Sequence, residues 1–436
     1  MEPTAAELIA ARPSLSAHVL DGLLFEGVPL AAIAAAHGTP CWVYGAATLR
    51  RRFRRLRAAF PRAGLHYAVK ANDHLAVLSI LAQEGAGADV VSGGEFLRAR
   101  AAGIAAANIV FSGVGKGAGE IALALDHGVG QINVESAEEL REISAIAAAA
   151  GRPARVALRV NPAIDAGTHD KIATGRAGDK FGIPVADIEP LYAEAACLPG
   201  IVPIGLAVHI GSQVRDLAAF RAAYGVLAGL VRALRSRHLP VDCVDCGGGL
   251  GIPYADELAI LPEAWAGAVD SAFAGLDLRI ALEPGRWLAG PAGLLLASVI
   301  RTKRQGMARP ILVLDAAMND LARPAMYGAW HGILPVAAAD LAANPEVVDI
   351  AGPVCESADM FARARAVAPL QAQALVAILD AGAYGAVMSS TYNARPLAAQ
   401  VLADGDRPGG PGFALIRARQ ATEELWASER ADMWHR

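Results

Sequence analysis

The chain has 436 residues, 54% of them hydrophobic, and a mean hydropathy of +0.35. That is ample apolar material for a large core and more length than one ordinary domain needs, so two domains are expected. Its 39 basic and 43 acidic residues give a formal charge of -4, which leaves no basic footprint for nucleic acid or an anionic membrane and favours a small-molecule ligand.

Residues 1–12 carry Glu2 and Glu7 in an alanine-rich stretch and lack the basic start and apolar run of a secretory signal. Each apolar stretch is interrupted by a charge, Gly or Pro short of the roughly 18 residues of a membrane span, so no span is expected. Five scattered cysteines (Cys41, Cys197, Cys243, Cys246 and Cys355) suit a reducing compartment, and a cytoplasmic protein is expected. Cys243 and Cys246 form one CxxC in an apolar run with no second ligand pair, which reads as core packing, and no metal is expected.

Residues 41–44 (CWVY) read as an early strand that pairs into a domain formed mainly by the C-terminal part of the chain. From residue 66 onward, short β-like runs alternate with alanine-rich helical stretches: 66–70, 88–91, 108–112, 131–134, 155–160, 204–210, 241–245 and 278–283. Eight βα units predict a closed (β/α)8 barrel over residues 46–288. Side chains two apart share a strand face. Val156, Leu158 and Val160 therefore face helices, while Arg155, Ala157 and Arg159 face inward; 204–210 and 278–283 repeat the scheme and bring His209 and Glu283 to the inner face. Beyond residue 288 the runs 294–301, 311–314 and 374–380, punctuated by Pro and Gly, predict a mainly β domain over 289–436, completed by residues 1–45.

Polar residues end strand after strand: Lys70, Asp89, Ser112, Arg159, His209, the glycines after Asp245, and Glu283. In a (β/α)8 barrel these ends build the active site. Any amine chemistry has five candidate lysines: Lys70, Lys116, Lys171, Lys180 and Lys303. Alone, Lys70 would read as a surface lysine; on an inward register it becomes a poorly hydrated amine able to attack an aldehyde. Cys246-Gly-Gly-Gly-Leu-Gly251 and Glu283-Pro-Gly-Arg286 follow the seventh and eighth strands, where barrels commonly cradle phosphate. Glu283 could hold a pyridine nitrogen protonated. His209 suits stacking on a flat ring, with Ser212 offering a hydroxyl.

Nine segments in order, HYAVKAN, GADVVSGGE, RVNP with DKFGI, HIGSQ, CGGGLG, EPGR, DAAMNDLARPAMY, GPVCES and DAGAYG, resemble the signature segments of the diaminopimelate decarboxylase family. These are fold-type III pyridoxal-phosphate enzymes related to alanine racemase and ornithine decarboxylase, and the resemblance runs from about residue 20 to about residue 420. It implies an alanine racemase-like α/β fold, pyridoxal 5'-phosphate as cofactor, and decarboxylation of meso-2,6-diaminopimelate to L-lysine, the last step of lysine biosynthesis, by a homodimer with shared sites.

By the same resemblance Lys70 anchors the cofactor, Glu283 meets its pyridine nitrogen and His209 stacks on its ring. Asp89, Ser212, Gly247, Gly248, Gly249, Gly285, Arg286 and Tyr384 complete the cofactor site. Arg286, Arg323, Tyr327, Glu356 and Tyr384 hold substrate, with Cys355 as proton donor; Cys355 and Glu356 come from the second subunit. Ala358, after Cys355-Glu-Ser357, stands where the family pattern has glycine. The alternatives are a related decarboxylase for ornithine, lysine, arginine or carboxynorspermidine, a racemase, and a non-catalytic pyridoxal-phosphate carrier.

Overall fold

The computed structural model describes residues 2–167, 169, 174–176, 178–304 and 306–430; Lys171 lies outside them. The chain divides into two units. Leu49–Pro253 with Leu258–Leu288 form one, and Met1–Thr48, Tyr254–Glu257 and Ala289–Arg436 form the other.

In the first of these, eight strands pair in parallel around a closed ring: Gly64–Ala68, Gly87–Val90, Ile109–Phe111, Gln131–Val134, Ala154–Asn161, Ile201–Val208, Cys243–Asp245 and Arg279–Leu282. The ring closes where Arg279–Leu282 pairs with Gly64–Ala68, and the short strand Ile183–Pro184 adds to Ala154–Asn161. The expected barrel is therefore present. Val156, Leu158, Leu206 and Leu282, assigned to the helix-facing side, are all fully buried.

Local signals start the helices. Ser92 accepts from the Glu95 N–H, Ser136 from the Glu139 N–H and Asp216 from the Ala218 N–H, each satisfying a donor that a helix's first turn leaves over. The helix Leu217–Ser236 is long and apolar enough to cross a membrane by length and composition alone, but Arg221, Arg232 and Arg235 interrupt it, as expected of every apolar stretch in the sequence. Phe220, Tyr224, Leu227, Val231 and Leu234 on it are buried within the barrel unit. There Trp265 Nε1 donates to the Tyr224 hydroxyl at 2.8 Å, and that hydroxyl donates to the Cys246 carbonyl at 3.3 Å. Each such apolar side chain contributes about 1.5–3 kcal/mol on burial, and the Tyr224 bond fixes the start of the glycine loop.

Close approach of neighbouring strands requires Gly205, because a Cβ there would lie 2.0 Å from the Cys243 carbonyl oxygen. Gly205→Ala is expected to cost about 1–3 kcal/mol through forced strand separation, read as a lower urea midpoint with an unchanged slope.

The second unit is mainly β. Cys41–Gly45 lies between Gly293–Lys303, to which it runs antiparallel, and Ala399–Asp404, to which it runs parallel, so residues 41–44 do pair with C-terminal strands. Leu23, Phe25, Leu30, Ile33, Val43, Leu294 and Val401 share its core. Leu375–Ile378 also pairs with Gly293–Lys303 and carries Ile333–Pro335 on its other edge.

One expectation needs correcting: the first barrel strand ends at Ala68, and Lys70 lies in a 3-10 turn, Val69–Ala71. The Tyr67 hydroxyl closes that turn by donating to the Asn72 carbonyl at 3.1 Å. A period of two cannot distinguish a strand's last residues from a turn that continues its direction.

Candidate active site

The turn places the Lys70 amine against Asp89, the two forming a hydrogen-bonded ion pair. The Lys70 side chain keeps 32% of its surface exposed, while that of Asp89 keeps none. Asp89 Oδ1 is buried and has no hydrogen-bond partner among the described residues. Lys116, also beyond a strand end, differs: its side chain is wholly buried between the Gly113 carbonyl and Glu139.

A cluster of buried polar side chains links several barrel strands. Asn133 Nδ2 is within 3.3 Å of Glu283 Oε1, 3.1 Å of Ser112 Oγ and 3.4 Å of Asp245 Oδ2. Gln131 Nε2 donates to Asn133 Oδ1 at 2.7 Å, which fixes the orientation of the Asn133 amide. Burial pushes the Glu283 carboxyl well above its ordinary range, Asp245 and Asp89 push the same way, and Lys70 opposes them. Burial similarly holds the His209 imidazole well below its ordinary range, helped by Arg159 and Lys70, so the ring is neutral.

The glycine loops are backbone contacts between strand ends. A Cβ on Gly247 would lie 2.2 Å from the Val208 carbonyl oxygen, and one on Gly248 would lie 2.0 Å from that of Glu283. Their N–H groups are engaged within the protein: Gly247 donates to Asp245 Oδ1 at 3.0 Å and Gly248 to His209 Nδ1 at 3.2 Å. Gly249, at φ 94°, meets the Gly211 carbonyl, and a Cβ on Gly285 would touch those of Ala68 and Ala71. Beside them Arg286 Nη2 donates to Ser212 Oγ at 3.0 Å. The barrel thus gathers Lys70, Asp89, His209, Ser212, the glycines, Glu283 and Arg286 at one mouth.

The β unit carries the other predicted residues. Arg323 and Tyr327 begin and end one short helix, Arg323–Tyr327. Arg323 is buried, with its guanidinium over the Tyr254 ring at 4.6 Å and Nη1 against His331. Cys355 and Glu356 are exposed; the Cys355 N–H donates to Asn393 Oδ1 at 3.1 Å, and Glu356 Oε2 accepts from the Tyr392 hydroxyl at 3.3 Å. Tyr384 holds a φ of 55°.

The family model described as "Pyridoxal-dependent decarboxylase, pyridoxal binding domain" matches residues 46–290. Diaminopimelate decarboxylase of Zymomonas mobilis is 45% identical over 419 residues, 94% of this chain and 97% of that one. The chain belongs to the diaminopimelate decarboxylase family. The structure of the Helicobacter pylori member complexed with L-lysine superposes with a TM-score of 0.87 at 36% identity, over 92% of this chain and 99% of that one. For the member from m. jannaschi the TM-score is 0.90 at 32% identity, over 97% and 99%.

As a pyridoxal-dependent decarboxylase, the chain uses pyridoxal phosphate. The mouth fits that group by its donor chemistry: an amine for an aldehyde, a buried acid with an elevated pKa for a ring nitrogen, and a guanidinium with a hydroxyl beside close-packed glycines for a phosphate. Sequence reasoning missed Asn133, the hub that touches Ser112, Asp245 and Glu283. It also missed the Arg159–Glu135 ion pair at 2.5 Å. An inward Asn in the alternation Gln131-Ile-Asn-Val134 was the available signal.

Proposed function

We propose that this decarboxylase removes one α-carboxylate from meso-2,6-diaminopimelate to give L-lysine and CO2, completing lysine biosynthesis. The carrying observation is the single barrel mouth that holds the Lys70–Asp89 pair, the buried Glu283 and the Arg286–Ser212 pair. The choice of substrate follows the full-length relatives, which are diaminopimelate decarboxylases, and a neighbour that binds L-lysine.

In this reading the cofactor supplies the electron sink for the pair left when CO2 departs. Lys70 anchors its aldehyde, and Asp89 keeps the amine in place. Glu283, oriented by Asn133, would hold the ring nitrogen. Neutral His209, held through Nδ1 by Gly248, presents its ring face, and Ser212, Gly247, Gly248, Gly249, Gly285 and Arg286 shape the phosphate pocket. Arg286, Arg323, Tyr327 and Tyr384 hold the substrate, because planar guanidinium forks match carboxylates.

The barrel of residues 46–288 is then the cofactor domain, and residues 1–45 with 289–436 supply substrate groups and the contacts of a homodimer. Cys355 and Glu356 serve the partner's site, the thiol giving its proton to the substrate's α-carbon and the carboxylate meeting the distal ammonium; exposure of both within their own unit supports this. Five free cysteines support a cytoplasmic location.

The deciding experiment supplies pyridoxal-phosphate-loaded protein with meso-diaminopimelate and measures lysine and CO2. Equal yields of the two are expected; no lysine, with amine and CO2 formed from ornithine, arginine or lysine instead, would transfer the reading to those decarboxylases. Cys355→Ala is expected to keep the cofactor's absorbance and lose about a hundredfold or more in turnover. Normal turnover would remove Cys355 from the proton path.

A further inference from the structure

We infer that His331 is a positioning residue that sets the Arg323 guanidinium for substrate, acting as a neutral imidazole with its proton on Nδ1. The inference rests on the reading of Arg323 as a substrate-binding group.

The tautomer follows from the two partners. A guanidinium has only donors, so His331 Nε2, 2.7 Å from Arg323 Nη1, must accept. On the other side His331 Nδ1 lies 2.7 Å from the Leu379 carbonyl oxygen, which only accepts, so Nδ1 must donate. Both conditions are met by one protonation state. A second ring proton would set N–H against N–H and positive charge against positive charge at the Nε2 contact.

The ring is held rigidly. His331 is 1% exposed and meets Tyr254 edge to face, with centroids 5.2 Å apart, while Arg323 lies over the same Tyr254 ring. The Leu379 N–H donates to the Gly332 carbonyl at 2.8 Å, and the adjoining segments Ile333–Pro335 and Leu375–Ile378 pair antiparallel. Two arginines beside this assembly have partners of their own. Arg365 Nη1 donates to the His331 carbonyl at 2.7 Å and Arg365 Nε faces Glu2 at 3.3 Å. Arg12 pairs with Asp380 at 2.6 Å and donates to the Tyr254 carbonyl. Arg323 itself is steered by a neutral acceptor and an aromatic face, the geometry that suits presenting its guanidinium to a substrate carboxylate.

Replacing His331 by a residue with no acceptor should loosen Arg323 without touching the cofactor. H331M is expected to raise KM for meso-diaminopimelate about tenfold, with kcat changed less than about threefold and the bound cofactor's absorbance unmoved. H331Q, whose amide oxygen reaches near the Nε2 position, is expected to restore KM to within about threefold of the parent. In an R323M background, H331M should add less than about twofold, because its effect runs through Arg323. An unchanged KM in H331M, or an undiminished further effect on R323M, would overturn the proposal. If R323M itself left KM unchanged, the substrate role of Arg323 would fail, and the proposal with it, by a recognisably different result. A measurement on the unmutated holoenzyme stands even if H331M does not fold: nitrogen NMR of histidine-labelled protein should show a neutral Nδ1–H ring for His331 at neutral pH. An Nε2–H or doubly protonated ring there would overturn the assignment.

Discussion

Lys70→Ala is expected to lower turnover by about a thousandfold or more, since it removes the nucleophile that binds and hands over the cofactor's aldehyde. The barrel should still fold. Lys70 sits in a short turn with a third of its side chain exposed, and the turn itself is closed by the Tyr67 hydroxyl on the Asn72 carbonyl. Removing the amine leaves Asp89 buried without the cation that now pairs with it, so some loss of stability accompanies the loss of rate. Lys116 cannot substitute, because its amine is enclosed and committed to Glu139 and Gly113. Two measurements check the expectation: turnover of meso-diaminopimelate, and the absorbance that reports a covalently held cofactor. Added methylamine should restore part of the lost rate by supplying the missing amine. Near-normal turnover, or an unchanged absorbance band, would mean that Lys70 is not the anchor.

The same residue shows what the sequence made legible. Short β-like runs between alanine-rich helical stretches located all eight strands, and the alternation of small and branched residues in 155–160, 204–210 and 278–283 told the inner face from the helix-facing one. Lys70 was brought to the mouth by that argument although it lies beyond the strand. The polar ends Asp89, Ser112, His209 and Glu283 followed for the same reason. What periodicity could not supply was partnership. Asn133 joins Ser112, Asp245 and Glu283 across residues up to 150 positions apart, and a side-chain hydrogen bond between distant strands leaves no local pattern. The glycines show a second limit. Their run suggested N–H groups free for an anion, whereas Gly247 and Gly248 donate to Asp245 and His209 and owe their small size to facing carbonyls. Arg323 was reached only through resemblance, since its burial depends on Tyr254 and His331. The N-terminal strands Leu15–His18 and Gly22–Phe25 lie outside the repeating strand and helix pattern that marked the barrel strands.

Glu283→Gln is expected to separate activity from stability. In the holoenzyme, turnover should fall by about a hundredfold or more, because an amide cannot hold a ring nitrogen protonated as a carboxylate does. In the cofactor-free protein the same change should stabilise at neutral and alkaline pH. The Glu283 pKa in the folded chain is raised above its ordinary 4.5 by burial, then by Asp245 and Asp89, with Lys70 opposing. A raised folded pKa makes a contribution to stability that is complete below the ordinary value and is lost as pH rises through the elevated one. Between the two values the cofactor-free parent keeps Glu283 protonated at a cost in stability, and above the elevated one it bears a buried charge beside Asp245. The substituted amide would stay neutral and keep the hydrogen bond from Asn133 at every pH. Calorimetry of the two cofactor-free proteins across pH should therefore give coincident melting temperatures at acid pH. With rising pH they should diverge by about 2–4 °C in favour of the variant. Cofactor binding should remove the parent's disadvantage, because a protonated ring nitrogen supplies the positive partner that the buried carboxylate lacks. Melting curves that stay parallel across pH would show that Glu283 carries no such cost, and the reading of it as a preset partner for the ring nitrogen would fail with them.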